Sequence, residues 1–262
     1  MQILNSYNAV SETGEKIDLQ KLQAVMAQFK LKHNAVAVTY CRHEPPPNYE
    51  PIQDVPCALI YHADTGRRVY VDRNHHDCLV GLYHLGMLEH ANEYIADGIY
   101  MTDVQQFYTV EAAKANKHNT PNLPKGEFKA IAAAPISMVE DESLVHLVVV
   151  ICEPQYAMIL AGAASTRIGK FPIGELGRSA CSSLFSVPYL ENNSVFVIGD
   201  GGGRIHNHLN TSEMFAVIPR DHIKHLFEVA DSFKITPAKM RKQIRPSYFE
   251  ENGYGGAKKA SS

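Results

Sequence analysis

Two histidines, an aspartate and a cysteine stand together in NHHDCLVGLYHLGM, the stretch from Asn74 to Met87, and an apolar, helix-like run follows Cys78. Two more cysteines share that setting. In Asp54-Val55-Pro56-Cys57 an aspartate of capping type and a proline suited to a first helical turn precede the thiol. In Arg178-Ser179-Ala180-Cys181 a serine cap and a cation precede it, and in Asp77-Cys78 the aspartate is the expected cap. Helix starts carry unpaired N–H groups and the positive end of the macrodipole, which favour a thiolate. Thiolate is the form that ligates metals and attacks electrophiles. Asp54 and Asp77 oppose the shift by like charge. The plain alternative for each is a buried cysteine acting as a small apolar group, and that is the expectation for Cys41 and Cys152, which end apolar strands.

Cys57, Cys78 and Cys181 are too far apart in sequence for a zinc-ribbon or ferredoxin pattern. Only folding could assemble them, and so assembled they would be candidate ligands of an iron–sulfur cluster or zinc. His75 is the candidate fourth ligand, and His76 the proton carrier for a nucleophilic Cys78 or Cys181. His84, six residues after Cys78, falls on another helix face and reads as structural. In IGDGGGRIHNH the glycines Gly201, Gly202 and Gly203 let backbone N–H groups approach an anion, with Arg204 and His206 as further ligand-binding candidates. His208 alternates with His206 and would converge with it only on an extended segment. The structural alternative is a tight hairpin turn with Arg204 bridged to Asp200 or Glu213. Neither a Walker loop nor a spaced dinucleotide fingerprint is present.

The elements that must position these residues alternate. LQKLQAVMAQFKL repeats its apolar residues at helical spacing, whereas AVAVTYC, RRVYVD, FKAIAAAPI, LVHLVVVIC, SVFVIG and EMFAVIP read as strands. Helices are expected over CALIYHA, from near Cys78, over DVQQFYTVEAAKA and QYAMILAGAAS, near ACSSLF and from about His222 to Phe233. The five prolines of RHEPPPNYEPIQDVP break regular structure. This pattern predicts an α/β or mixed α+β fold, a central sheet with helices on its faces. A single globular domain is expected over residues 1–248, any division into subdomains falling near 120–127, with a Gly- and Ser-rich disordered tail over 249–262.

At 262 residues with a net charge of −3, the chain has neither the basic face that nucleic acid needs nor one that holds a membrane. No apolar run reaches the ~20 residues of a bilayer span, and MQILNSYNAVSETGEK lacks the shape of a signal peptide. Five cysteines, an odd number without a tight framework, fit a reducing compartment, so a cytoplasmic location is expected.

CALIYHADTGRRVYVDRNHHDCLVGLYHLGM resembles the first block of the family called domain of unknown function 169. Later similar blocks are API near Pro135, EPQYAMIL, the segment around Cys181 with VPYL, and DGGGR followed by EMFAVIP. They run in the family's order from about Ala35 to Phe227. The resemblance matches Cys57, Gly66, Cys78, Gly81, Gly86, Pro135, Gln155, Cys181, Pro188, Gly202, Arg204, Glu213 and Pro219 to the family pattern. This chain departs from it in reading Cys-Leu-Val-Gly for a Cys-Pro-Gly-Gly-like turn, and in its extra histidines. The resemblance implies an architecture and a residue set but no reaction.

The favoured expectation is an enzyme for a small, anionic molecule, its cysteine site working through a metal, an iron–sulfur cluster or a thiolate. The alternative is a non-catalytic binding protein for a metal-containing cofactor such as haem, with a histidine ligand and the small residues of AGAAS making room for a flat ring. A homo-oligomer is compatible with either.

Overall fold

Strands buried on both faces need no polar–apolar alternation, and four runs of this chain show none. They form β1 (Val36–Cys41), β4 (Ala130–Pro135), β5 (Leu147–Cys152) and β8 (Met214–Pro219), buried along almost their whole length. A computed structural model describes residues 16–88, 90–167, 169–176 and 179–229, without the side chains of 161–167 and 228–229. The tail over 249–262 and the end of the helix expected to reach Phe233 lie outside the described residues.

The other strands are β2 (Glu50–Pro51), β3 (Val69–Asp72), β6 (Ile173–Glu175) and β7 (Val195–Val197). All eight join one sheet in the order β2-β3-β4-β1-β5-β8-β7-β6. Its interior is antiparallel, with Val36 opposite Pro135 and Cys41 opposite Ala130 in the β1–β4 pair. The outermost pairs, β2 with β3 and β6 with β7, are parallel. Strands from both sides of residues 120–127 share the sheet. The edge strands β2 and β6 were not foreseen: one lies in the proline-rich segment and the other in the glycine-rich connection.

The fold is thus mixed α/β, with ten α-helices around the sheet among the described residues. One face presents Val36, Val38, Tyr40, Ile131, Val149 and Phe215 to a single apolar cluster. That cluster takes in α2 (Leu59–Asp64), α3 (Leu79–His84), the π-helical turn Ser182–Ser186 and α8 (Val187–Glu191) through Leu59, Leu82, Phe185 and Tyr189. Outside it lie the buried residues of α1 (Leu19–Gln28), α7 (Pro154–Arg167) and α10 (Arg220–Val229). Phe29 meets Tyr156 edge-on and Lys21 lies over Phe227, joining these three helices to one another.

Three short helices complete the first face's rim: α4 (Glu93–Ala96), α5 (Tyr100–Asp103) and α6 (Val110–His118). The run expected as one helix from Asp103 is broken, since Thr109 opens α6 with a side-chain cap on Ala112 N–H. The expected glycine turn is also helical. Gly201–His206 forms α9, with Asp200 as its N-cap. Glycine is a poor helix former, by ~1 kcal/mol relative to alanine, but a Cβ on Gly203 would stand 2.6 Å from Ala180 Cβ. Close packing of α9 on the Cys181 segment therefore requires glycine at that position.

Candidate functional site

Cys57 lies in a 3₁₀ turn, Pro56–Ala58, that runs into α2, with Pro56 at its start as expected and Val55 as its cap. Cys78 is itself the N-cap of α3, in place of the expected Asp77, and its sulfur accepts a hydrogen bond from Gly81 N–H at 3.3 Å. Cys181 immediately precedes the π-helical turn. Arg178, expected beside it, lies outside the described residues.

Three packing devices bring these segments together. A Cβ on Gly81 would sit 2.7 Å from Pro56 Cγ and 3.2 Å from Cys181 Sγ, so α3 lies flush against both neighbouring segments. Asp200 divides its carboxylate, one oxygen accepting from Gly203 N–H at 2.6 Å and the other from Ala180 N–H at 3.3 Å. Asn207, buried at the end of α9, donates to the Cys57 carbonyl and accepts from Tyr61 N–H, both at 3.1 Å. Cys57 and Cys181 are consequently neighbours in one buried cluster, and the charges of Cys57 and Cys78 are felt at Cys181. Residues 57, 78 and 181 share one neighbourhood beside the start of α9.

The electrostatics differ from the expectation for helix starts. Burial is the main cause that raises the Cys78 pKa, only partly offset by the N–H groups of Gly81 and Val80. Cys181 is raised well above the usual thiol range by its hydrogen bond to Cys57, by burial, and by the charges of Cys57, Cys78 and Asp200. Desolvation outweighs the helix-end effect here, so Cys78 and Cys181 rest as thiols. Cys78 is half-buried, whereas Cys57 and Cys181 are 8% and 4% exposed. Of the three thiols, Cys78 has the best access to solvent.

A cation missed in the sequence completes the site. Lys117 on α6 is 2% exposed, and no carboxylate of the described residues pairs with it. Its Nζ donates to His84 Nε2 at 2.9 Å and lies 4.4 Å and 5.6 Å from the ring centroids of Tyr83 and Tyr100. The His84 Nδ1–H donates in turn to Asn122 Oδ1 at 2.6 Å, which leaves Nε2 free to accept. Burial and the Lys117 charge lower the His84 pKa to about 3, so the imidazole stays neutral. Burial lowers Lys117 to about 8, against the opposing pull of Cys181 and Cys78. Tyr100 is raised by burial and then by Cys78, Asp200 and Cys181, so it faces the same charges. The available sequence signal was Ala113 and Lys117 at helical i, i+4 spacing, which puts a lysine on the buried stripe of α6.

Other candidates fall elsewhere. His75 Nδ1 is paired with Asp72 at 2.9 Å. His76 accepts from Gln53 at its carbonyl, and its Nδ1 is a buried atom without a hydrogen-bond partner. Arg204 is a clamp on its own loop. It donates to the carbonyls of Ile198, Glu213 and Asn210, and so is not bridged to the side chains of Asp200 or Glu213. Nothing stands within 4 Å of a Cβ placed on Gly201, and the Gly202 position meets only Asp200 at 3.8 Å. Burial raises the Asp200 pKa, with the nearby His206 among the groups that oppose it, and His208 packs at a tilt on Tyr61, ring centroids 4.3 Å apart. Cys41 and Cys152 are buried at their strand ends, where desolvation pushes both up to about 12.

Among the described residues, no three His, Cys, Asp or Glu side chains converge as a metal-holding group. The reason is local: Cys78 turns to its own helix, Cys181 to Cys57, and both Asp200 oxygens to backbone N–H groups. Among the described residues these donors are turned to one another and to backbone groups rather than to a common point. The side chains of residues 161–165, expected to make room for haem, lie outside the described residues.

A cavity of about 430 Å³ opens away from the thiols, around Cys41, Tyr49, Arg42 and Arg68. Its arginines are engaged, Arg68 with the Met138 carbonyl and Glu140, Arg42 with Glu127. A buried cation without a carboxylate partner, within electrostatic reach of Cys78 and Cys181, is the stronger chemical signal. No helix of the described residues is long and apolar enough to cross a membrane.

The chain belongs to the family described as Uncharacterised ArCR, the domain of unknown function 169, whose model matches residues 24–229. No curated protein and no solved structure matches it.

Proposed function

From membership of a family without an assigned reaction, we propose that this protein is a thiol enzyme acting on a small electrophilic molecule, with Cys78 as the attacking sulfur. The observation that carries the reading is the gathering of three distant thiols in one neighbourhood, two of them, Cys78 and Cys181, within electrostatic reach of a buried lysine that has no carboxylate partner. An unpaired ammonium is costly to bury. The cost is offset when a neighbouring thiol ionises. Loss of the Cys78 proton leaves a thiolate within electrostatic reach of Lys117, and each stabilises the other's charged form. His84 and Asn122 hold the lysine in place, and the rings of Tyr83 and Tyr100 flank its head.

This reading moves the site's positive charge from Arg204 to Lys117. Arg204 is spent on carbonyls, so the case for a separate acidic group on the substrate falls away. The charge to be balanced is the sulfur's own.

Iodoacetamide labelling of the native chain, read for each cysteine by mass spectrometry across pH, tests the proposal. Cys78 should label ahead of Cys41 and Cys152, and its rate profile should move to higher pH in Lys117→Met. A Cys78 profile that matches a free small thiol and ignores Lys117→Met would sink the proposal.

A further inference from the structure

A nucleophilic thiol that forms and releases a substrate adduct needs no second thiol. Here Cys57 and Cys181 lie in one buried cluster beside Cys78, their turns, 124 residues apart in sequence (181 − 57), packed together by Gly81, Asp200 and Asn207. The two remaining cysteines end strands β1 and β5 and take no part in this contact. The three sulfurs thus form a graded set, one half-buried and two buried in the same cluster.

We infer that Cys57 and Cys181 form a dithiol–disulfide couple and that Cys78 exchanges with substrate, so that the electrophile is a low-molecular-weight disulfide. This rests on the proposed role of Cys78 as the attacking sulfur. The Cys78 thiolate attacks one sulfur of the substrate R–S–S–R′, forming a Cys78–S–S–R bond and releasing R′–S⁻. Cys57 then attacks the Cys78 sulfur and expels R–S⁻, and Cys181 attacks the Cys57 sulfur to free Cys78. In sum, Cys57 and Cys181 lose two electrons and two protons, and the substrate leaves as two thiols. Cys181, buried against the Cys57 segment and raised well above the usual thiol range, stays protonated until the outer sulfur has reacted. Thiol exchange depends on the thiolate fraction and on access, and both favour entry at Cys78.

The test uses the full chain, reduced and freed of reductant, with oxidised glutathione as probe. Released glutathione is followed, and disulfides are mapped in a non-reducing digest. The wild type should release both halves of the probe as thiols and yield the Cys57–Cys181 linked peptide. Cys78→Ser should lose that reaction with glutathione, although diamide, a small diffusible oxidant, still joins Cys57 to Cys181. Cys181→Ser should react at Cys78 and yield no peptide linked through position 181. A glutathione adduct that persists on wild-type Cys78, with no internal disulfide, overturns the couple but leaves Cys78 as the nucleophile. Equal rates in Cys78→Ser and the wild type also overturn it, and a Cys78 that forms no adduct removes the thiol reading itself.

Discussion

Lys117→Met has a consequence for stability that can be worked from the structure. Burial moves the lysine from 10.5 to about 8, and one pKa unit corresponds to about 1.4 kcal/mol. The charged form is therefore disfavoured in the folded protein by ~3 kcal/mol. The sign follows from proton binding. Between pH 8 and 10.5 the unfolded chain keeps the Lys117 proton that the folded chain has lost. Stability from this group therefore rises with pH across that window, and below pH 8 the full penalty is present. The buried thiols and tyrosines act in the opposite direction, because Cys181 and Tyr40 hold their protons longer when folded. Only the difference between wild type and Lys117→Met isolates the lysine.

At neutral pH that difference is small. Removing the charge gains up to ~3 kcal/mol, but His84 Nε2 is left without its donor, at a cost of about 1–3 kcal/mol. The pH dependence of the difference has no such offset. Urea titrations from pH 7 to 10.5 should show the wild type gaining ~3 kcal/mol on the variant. A difference that stays flat over the whole range would refute a buried, unpaired ammonium at Lys117 and the account of the thiols built on it.

The glycines and Arg204 give two further expectations. Gly203→Ala drives its Cβ to within 2.6 Å of Ala180 Cβ and should cost about 1–3 kcal/mol in denaturant unfolding. Gly201→Ala meets nothing within 4 Å and should be neutral or stabilising by ~0.5–1 kcal/mol; equal losses at both positions would contradict the packing role of Gly203. Arg204→Met strips three carbonyls of a donor and should cost on the order of 2–3 kcal/mol without altering Cys78 alkylation. A changed alkylation rate at unchanged stability would return Arg204 to the site.

The parts of the fold set by local chemistry were legible, as the six longer runs read as strands show. Their order was not, because β1, β4, β5 and β8 are apolar on both faces and offer no alternation that would fix a register. Element starts were expected to lower the thiols, whereas Cys78 and Cys181 are raised. A sequence shows a cap, whereas the burial that overrides it comes from distant segments. Lys117 was hidden for the same reason. VEAAKANKH reads as a solvated helix until Tyr83, His84 and Tyr100 close over its one buried lysine. The triple glycine reads as a turn because the reason for a glycine at 203 is its close packing on Ala180, a residue 23 positions away in sequence.

The proximity of the inner sulfurs can be measured without redox chemistry. A trivalent arsenical such as phenylarsine oxide bonds firmly only to two neighbouring thiols. Native mass spectrometry of the reduced chain should show one arsenical bound, lost in the double variant Cys57→Ala/Cys181→Ala and retained in Cys41→Ala. No bound arsenical, or binding indifferent to Cys57 and Cys181, would mean that these sulfurs do not meet.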